Sequence, residues 1–221
     1  MQARENHLST LVQKPVELDY LLYEPPTNAL RADGAPLLLF LHGMGERGSD
    51  LALVKRNGPP REIEAGRELP FWVVAPQCPD QKYWEADSLL ALLDRVCAEQ
   101  AVDTSRVYLT GLSMGGFGTW ALGGLAPQRF AAIAPVCAPF VWLNSTDFVD
   151  IPVWCFHGAL DTVVPVGDSV EMVSRLRNAG ATVRFTVYPD AEHDCWTETY
   201  RGTELYDWFL DHRREHPPAD A

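Results

Sequence analysis

The chain lacks the features that would take it away from an ordinary globular fold. No uninterrupted apolar run in the 221 residues is longer than Leu37–Leu41, far too short to cross a bilayer. The five cysteines (Cys78, Cys97, Cys137, Cys155, Cys195) are scattered, with no CxxC or metal-type spacing, and read as small buried hydrophobes in a reducing compartment. Cations are few: 18 Lys+Arg against 30 Asp+Glu give a net charge of −12. A surface that acidic repels nucleic-acid phosphate and anionic lipid, so neither nucleic acid nor membrane is expected as a partner. There is no tract of like charges and no internal repeat. The N-terminus carries an acid and no apolar core segment, so no secretory signal is expected and the cytoplasm is the expected location. Length and composition suit one domain over 1–221, with a polar tail, 216–221, expected to fray.

What is present is alternation. Short apolar runs bounded by Gly, Pro or Asp alternate with amphipathic stretches, the pattern of βα units on a mostly parallel sheet with helices on both faces. Strands are expected at Val16–Tyr23, Leu37–Leu41, Phe71–Ala75, Arg106–Thr110, Ala131–Val136, Val153–Phe156 and Val183–Tyr188. A further edge strand near His7–Lys14 would bring the sheet to about eight. The middle runs lack polar alternation, as strands covered on both faces do. Helices are expected at Ser88–Gln100, Met114–Leu125, Asp168–Ala179 and Thr203–Arg213, with one short helix inside the long connection Glu46–Pro70.

Gly111-Leu-Ser113-Met-Gly115 matches G-x-S-x-G between a predicted strand and a predicted helix. Glycines two before and two after the serine let chains approach where a Cβ would clash, and the Met114 amide at the helix start faces developing negative charge. A serine hydroxyl needs a base, and the base needs an orienting group. Asp161 and His193 each follow a predicted strand, which puts them at the carboxyl edge of the sheet with Ser113, where open α/β sheets place their sites. The order Ser, Asp, His along the chain is that of α/β-hydrolases. Ser113 is read as nucleophile, His193 as base and Asp161 as its orienter. A second oxyanion donor is expected at the Met44 amide in Leu41-His-Gly-Met-Gly45. His42 and His157, each at a strand end, read as structural. No metal spacing occurs, and neither metal nor cofactor is expected.

Six stretches resemble a known family: LFLHGMGERG (39–48), APQCPDQKYW (75–84), RVYLTGLSMGGFGTWAL (106–122), RFAAIAPVCA (129–138), IPVWCFHGALDTVVP (151–165) and VYPDAEHDCWTETY (187–200). They are similar to the α/β-hydrolase superfamily in its dienelactone hydrolase / poly(3-hydroxybutyrate) depolymerase-like esterase branch, which also carries a "predicted peptidase" label. The resemblance implies hydrolysis of carboxylic esters through an acyl-enzyme, with Ser113, Asp161 and His193 matching the triad and Met44 and Met114 the oxyanion positions. Dienelactone hydrolase proper has cysteine at the elbow where this chain has Ser113, which favours general esterase chemistry. Only thirteen residues, Pro139 to Ile151, stand where many lipases of the superfamily insert a cap, so no large cap is expected. An open cleft for short acyl groups on a small-molecule ester follows, with Trp84, Phe140, Trp142 and Trp196 as candidate walls. Peptidase and feruloyl- or acetyl-esterase activities on the same fold, and a non-catalytic binding protein, are the alternatives.

Overall fold

A computed structural model describes residues 3–10 and 13–215. Seven strands form one sheet in the order β1-β3-β2-β4-β5-β6-β7. They are β1 (Tyr20–Tyr23), β2 (Ala35–Leu41), β3 (Trp72–Pro76), β4 (Val102–Leu112), β5 (Ala132–Val136), β6 (Val153–Gly158) and β7 (Val183–Tyr188). Only β1 runs antiparallel, against β3; every other pair is parallel. The described residues therefore contain seven strands rather than about eight. Nothing described between His7 and Lys14 is strand, and Val16 to Asp19 stay outside β1. The expected tail, 216–221, lies outside the described residues.

The described residues also form six α-helices: α1 (Gly58–Glu64), α2 (Ala86–Glu99), α3 (Met114–Leu125), α4 (Val166–Asn178), α5 (Trp196–Arg201) and α6 (Glu204–Leu210). The pleat explains the two cores. Along β2, Leu37, Leu39 and Leu41 face one side, where they meet Leu92 and Leu93 of α2, Trp120 of α3 and Met172 of α4. Leu38 and Phe40 face the other, with Tyr200 of α5 and Tyr206 and Phe209 of α6. Every residue of β2 is buried, which is why it reads as a continuous apolar run.

Between β5 and β6 the chain makes only a short 3-10 turn, Ser145–Phe148, and no cap domain is inserted there. The carboxyl ends of β2, β4, β6 and β7 thus open to one edge of the sheet, and the connections leaving them carry the site.

Candidate active site

Ser113 sits between the last residue of β4 and the first of α3, with φ 53° and ψ −115°. Positive φ is strained for a residue bearing a Cβ. The turn is held by the Ser113 amide donating to the Val136 carbonyl (2.9 Å) and the Phe117 amide donating to the Ser113 carbonyl (2.9 Å). The flanking glycines are required by space. A Cβ on Gly115 would lie 1.9 Å from the Leu41 carbonyl oxygen, and one on Gly111 would lie 2.4 Å from the Gly115 oxygen.

His193, on the connection after β7, reaches both partners. Its Nδ1 donates to Asp161 Oδ2 at 2.7 Å, leaving Nε2 3.0 Å from Ser113 Oγ, positioned to accept the hydroxyl proton. Asp161, after β6, is buried and spends both oxygens. Oδ1 accepts from the amides of Val163 and Val164 (2.9 Å each), while Oδ2 takes His193 and lies 3.2 Å from His157 Nε2. Burial alone would raise this carboxyl; the bonds from His193, Val164 and Val163 outweigh it and hold it below the ordinary carboxylate value. His157 is a brace, as expected: its Nδ1 pairs with Ser169 Oγ (2.7 Å) and its Nε2 donates to the Val164 carbonyl (2.9 Å).

Met44 and Met114 each open a helical turn, so neither amide has an acceptor within its own helix. Both residues line the cleft with Ser113 and His193. The Met44 loop hangs on His42, which is fully buried. The Cys78 amide donates to His42 Nε2 (2.9 Å), and because an amide only donates, the ring proton is on Nδ1, which donates to the Gly43 carbonyl (2.6 Å). Burial pushes the His42 pKa down to about 4 against the pull of the Gly43 carbonyl, so its 3.9 Å approach to Glu46 is not an ion pair at neutral pH.

A hydrogen-bonded Ser–His–Asp chain whose serine and histidine line the cleft, beside the Met44 and Met114 amides, is an arrangement capable of acyl transfer. The sequence pattern of the dienelactone hydrolase family matches residues 75–205, more than half of the chain. The chain belongs to the dienelactone hydrolase family. Its fold is that of α/β-hydrolase esterases. The crystal structure of a thermostable esterase superimposes with a TM-score of 0.75 and 32% identity, covering 90% of this chain and 60% of that one. The bifunctional acetylxylan esterase/xylanase of Neocallimastix patriciarum is 31% identical over 140 residues, which are 60% of this chain and 20% of that protein. Acylamino-acid-releasing enzyme 1 of Oryza sativa subsp. japonica is 40% identical over 155 residues, 49% of this chain and 20% of that protein. The chain thus spans about a fifth of the length of these two curated relatives.

The cleft of this dienelactone hydrolase family member has a volume of about 530 Å³. Of the four aromatic residues expected as walls, Trp196 lines it; Trp84, Phe140 and Trp142 do not. Trp196 opens α5, with its ring edge-on to His193 at 5.2 Å. Trp84 packs against the His42 ring at 4.8 Å. Trp142 is exposed, beneath the Arg175 guanidinium (4.6 Å), and Phe140 stands edge-on to it. Tyr83, Phe117 and Glu46 line the cleft without having been read from the sequence. Tyr83 directly precedes the suspected Trp84, a signal one residue out; Glu46 is one of five acids in the connection Glu46–Pro70, and nothing in the sequence singles it out. Among the described residues no group of three or more His, Cys, Asp or Glu is placed to hold a metal ion, and no helix is long and apolar enough to cross a membrane.

Proposed function

We propose that this protein is a serine carboxylesterase acting on short-chain esters through an acyl-enzyme. The observation that carries this reading is the continuous hydrogen-bond chain Asp161–His193–Ser113, at 2.7 and 3.0 Å, with Ser113 and His193 lining the cleft. In the proposed cycle the Ser113 oxygen attacks the ester carbonyl as His193 Nε2 takes its proton. The amides of Met44 and Met114 hold the resulting oxyanion. His193 then returns the proton to the departing alcohol, and a water repeats the sequence on the acyl-enzyme, releasing the acid. Asp161 keeps the imidazole oriented and offsets its positive charge. Family membership and the likeness to a thermostable esterase support the ester-hydrolase part of this reading. The capless cleft supports the preference for short acyl groups, since little buried surface is available for a long chain.

The likeness to an acylamino-acid-releasing enzyme favours a second reading, cleavage of an acylated amino acid from a peptide, which uses the same residues. The test is hydrolysis of p-nitrophenyl esters from acetate to palmitate, with N-acetylalanine p-nitroanilide alongside, by wild type and Ser113→Ala. Activity is expected on the short esters and should fall by about four orders of magnitude or more in the variant. Release of p-nitroaniline with no ester cleavage would replace the first reading by the second. No Ser113-dependent release from any substrate would overturn both.

A further inference from the structure

The cleft is not electrically neutral. Glu46 lines it, two residues beyond Met44, and is 7% exposed. Its carboxylate is fixed from one side only. Asn57 Nδ2 donates to Oε1 at 2.8 Å, and Asn57 is itself held by the Trp196 indole N–H donating to its Oδ1 at 3.2 Å. The Glu46 backbone is anchored as well, its carbonyl accepting from Gln77 Nε2 at 2.9 Å. The second oxygen, Oε2, has no hydrogen-bond donor among the described residues. The His42 Nδ1 proton, 3.9 Å away, is already given to the Gly43 carbonyl. Oε2 lies beside Gly43, where an added Cβ would come within 3.2 Å of it and 2.8 Å of Leu112, and both of those residues line the cleft.

Among the described residues the cleft is lined by no Lys or Arg. Arg47, next along the loop, directs its guanidinium to the carbonyls of Met44 and Lys82 (3.2 Å each) and does not line the cleft. Oε1 is already paired and Oε2 is not, so a ligand that brings a donor to Oε2 gains a charge-assisted hydrogen bond there. A ligand that brings a second carboxylate adds repulsion.

We propose that Glu46 Oε2 is a specificity site for esters bearing a hydroxyl or ammonium group near the scissile carbonyl, and that it excludes esters bearing a carboxylate there. The proposal rests on the esterase reading and deepens it. Asn57 and Trp196 act as positioning residues that keep the carboxylate aimed and deny it the freedom to turn away.

The test uses four methyl esters of one shape, X–CH2CH2–COOCH3, with X a methyl, hydroxyl, ammonium or carboxylate group, and follows acid release by the intact chain. Wild type is expected to favour the hydroxyl and ammonium esters over the methyl ester in kcat/KM, and to disfavour the carboxylate ester by about tenfold or more. Glu46→Gln keeps the acceptor for Asn57 and replaces Oε2 by an amide N–H, so the order of the ammonium and carboxylate esters should reverse relative to the methyl ester. Equal wild-type rates on the methyl and carboxylate esters overturn the proposal without any variant, and unchanged ratios in Glu46→Gln overturn it independently. In both cases Ser113-dependent hydrolysis of the methyl-substituted ester leaves the esterase reading standing; its absence removes that reading, and this proposal with it.

Discussion

The imidazole of His42 is held as a single tautomer by two backbone groups, the Cys78 amide and the Gly43 carbonyl, and this makes it a pH-sensitive joint in the Met44 loop. In the unfolded chain a histidine takes up a proton near pH 6.5. In the folded chain His42 resists until about 4, because protonation is opposed by burial and puts a proton on Nε2, where the Cys78 amide already donates. Between those values the unfolded state binds more protons, so the stability His42 contributes is complete above about pH 6.5 and is lost as pH falls toward 4. The loss is on the order of 3 kcal/mol. Urea unfolding midpoints measured at pH 7.5, 6 and 4.5 should fall accordingly in wild type. His42→Gln should be less stable at pH 7.5 and show a visibly shallower fall; an unchanged slope would show that other groups govern it.

At the scale of elements, the turn from β4 into α3 depends on an approach of backbones that no side chain allows. Gly115→Ala puts a methyl 1.9 Å from the Leu41 oxygen, and the end of β2 must move to admit it. Because the Met44 loop continues from that end, the variant should lose activity together with roughly 1–3 kcal/mol of stability, or more. Gly167, near the start of α4, meets nothing within 4 Å of an added Cβ, so Gly167→Ala should instead gain up to about 1 kcal/mol. Thermal melts of the two variants beside an activity assay would separate steric from generic effects of the substitution. Elements with strong local signals were also those legible in the sequence. The bounds expected for α3 are those observed, and the centres of β2, β3, β5 and β6 stand out because both faces are buried. Their ends did not, because pairing sets ends: β4 begins at Val102, not Arg106, through Val102 pairing with Ala35 beyond a register shift in β2. Helix α5 went unread since its six residues, Trp-Thr-Glu-Thr-Tyr-Arg, show no apolar stripe, and the last helix ends at Leu210 rather than Arg213. That Ser113, Asp161 and His193 meet was legible because a spacing and a chain order carry them. Glu46 and Asn57 were not, since only tertiary contact brings them together.

Across the whole molecule, stability is graded from the middle of the sheet outward. All of β2 and β5 and the last six residues of β4 are buried, whereas β7 and β1 at the two edges contain no fully buried residue. Amide hydrogen exchange should therefore be slowest at positions such as Phe40, Leu109 and Ile133, opening only with global unfolding, and should be faster by orders of magnitude along Val183–Tyr188. Uniform protection across the sheet would contradict this gradient.

The chain of contacts from Glu46 through Asn57 to Trp196 ties the connection after β2 to the one after β7. Loops on a rigid scaffold are usually free to be exchanged one at a time. Here they are not interchangeable parts: a graft that replaces 44–58 strands the indole at 196, and one that replaces 193–201 frees the amide at 57. Laboratory recombination on this scaffold must move the two segments as a single cassette, and natural variants that change one should carry a compensating change in the other.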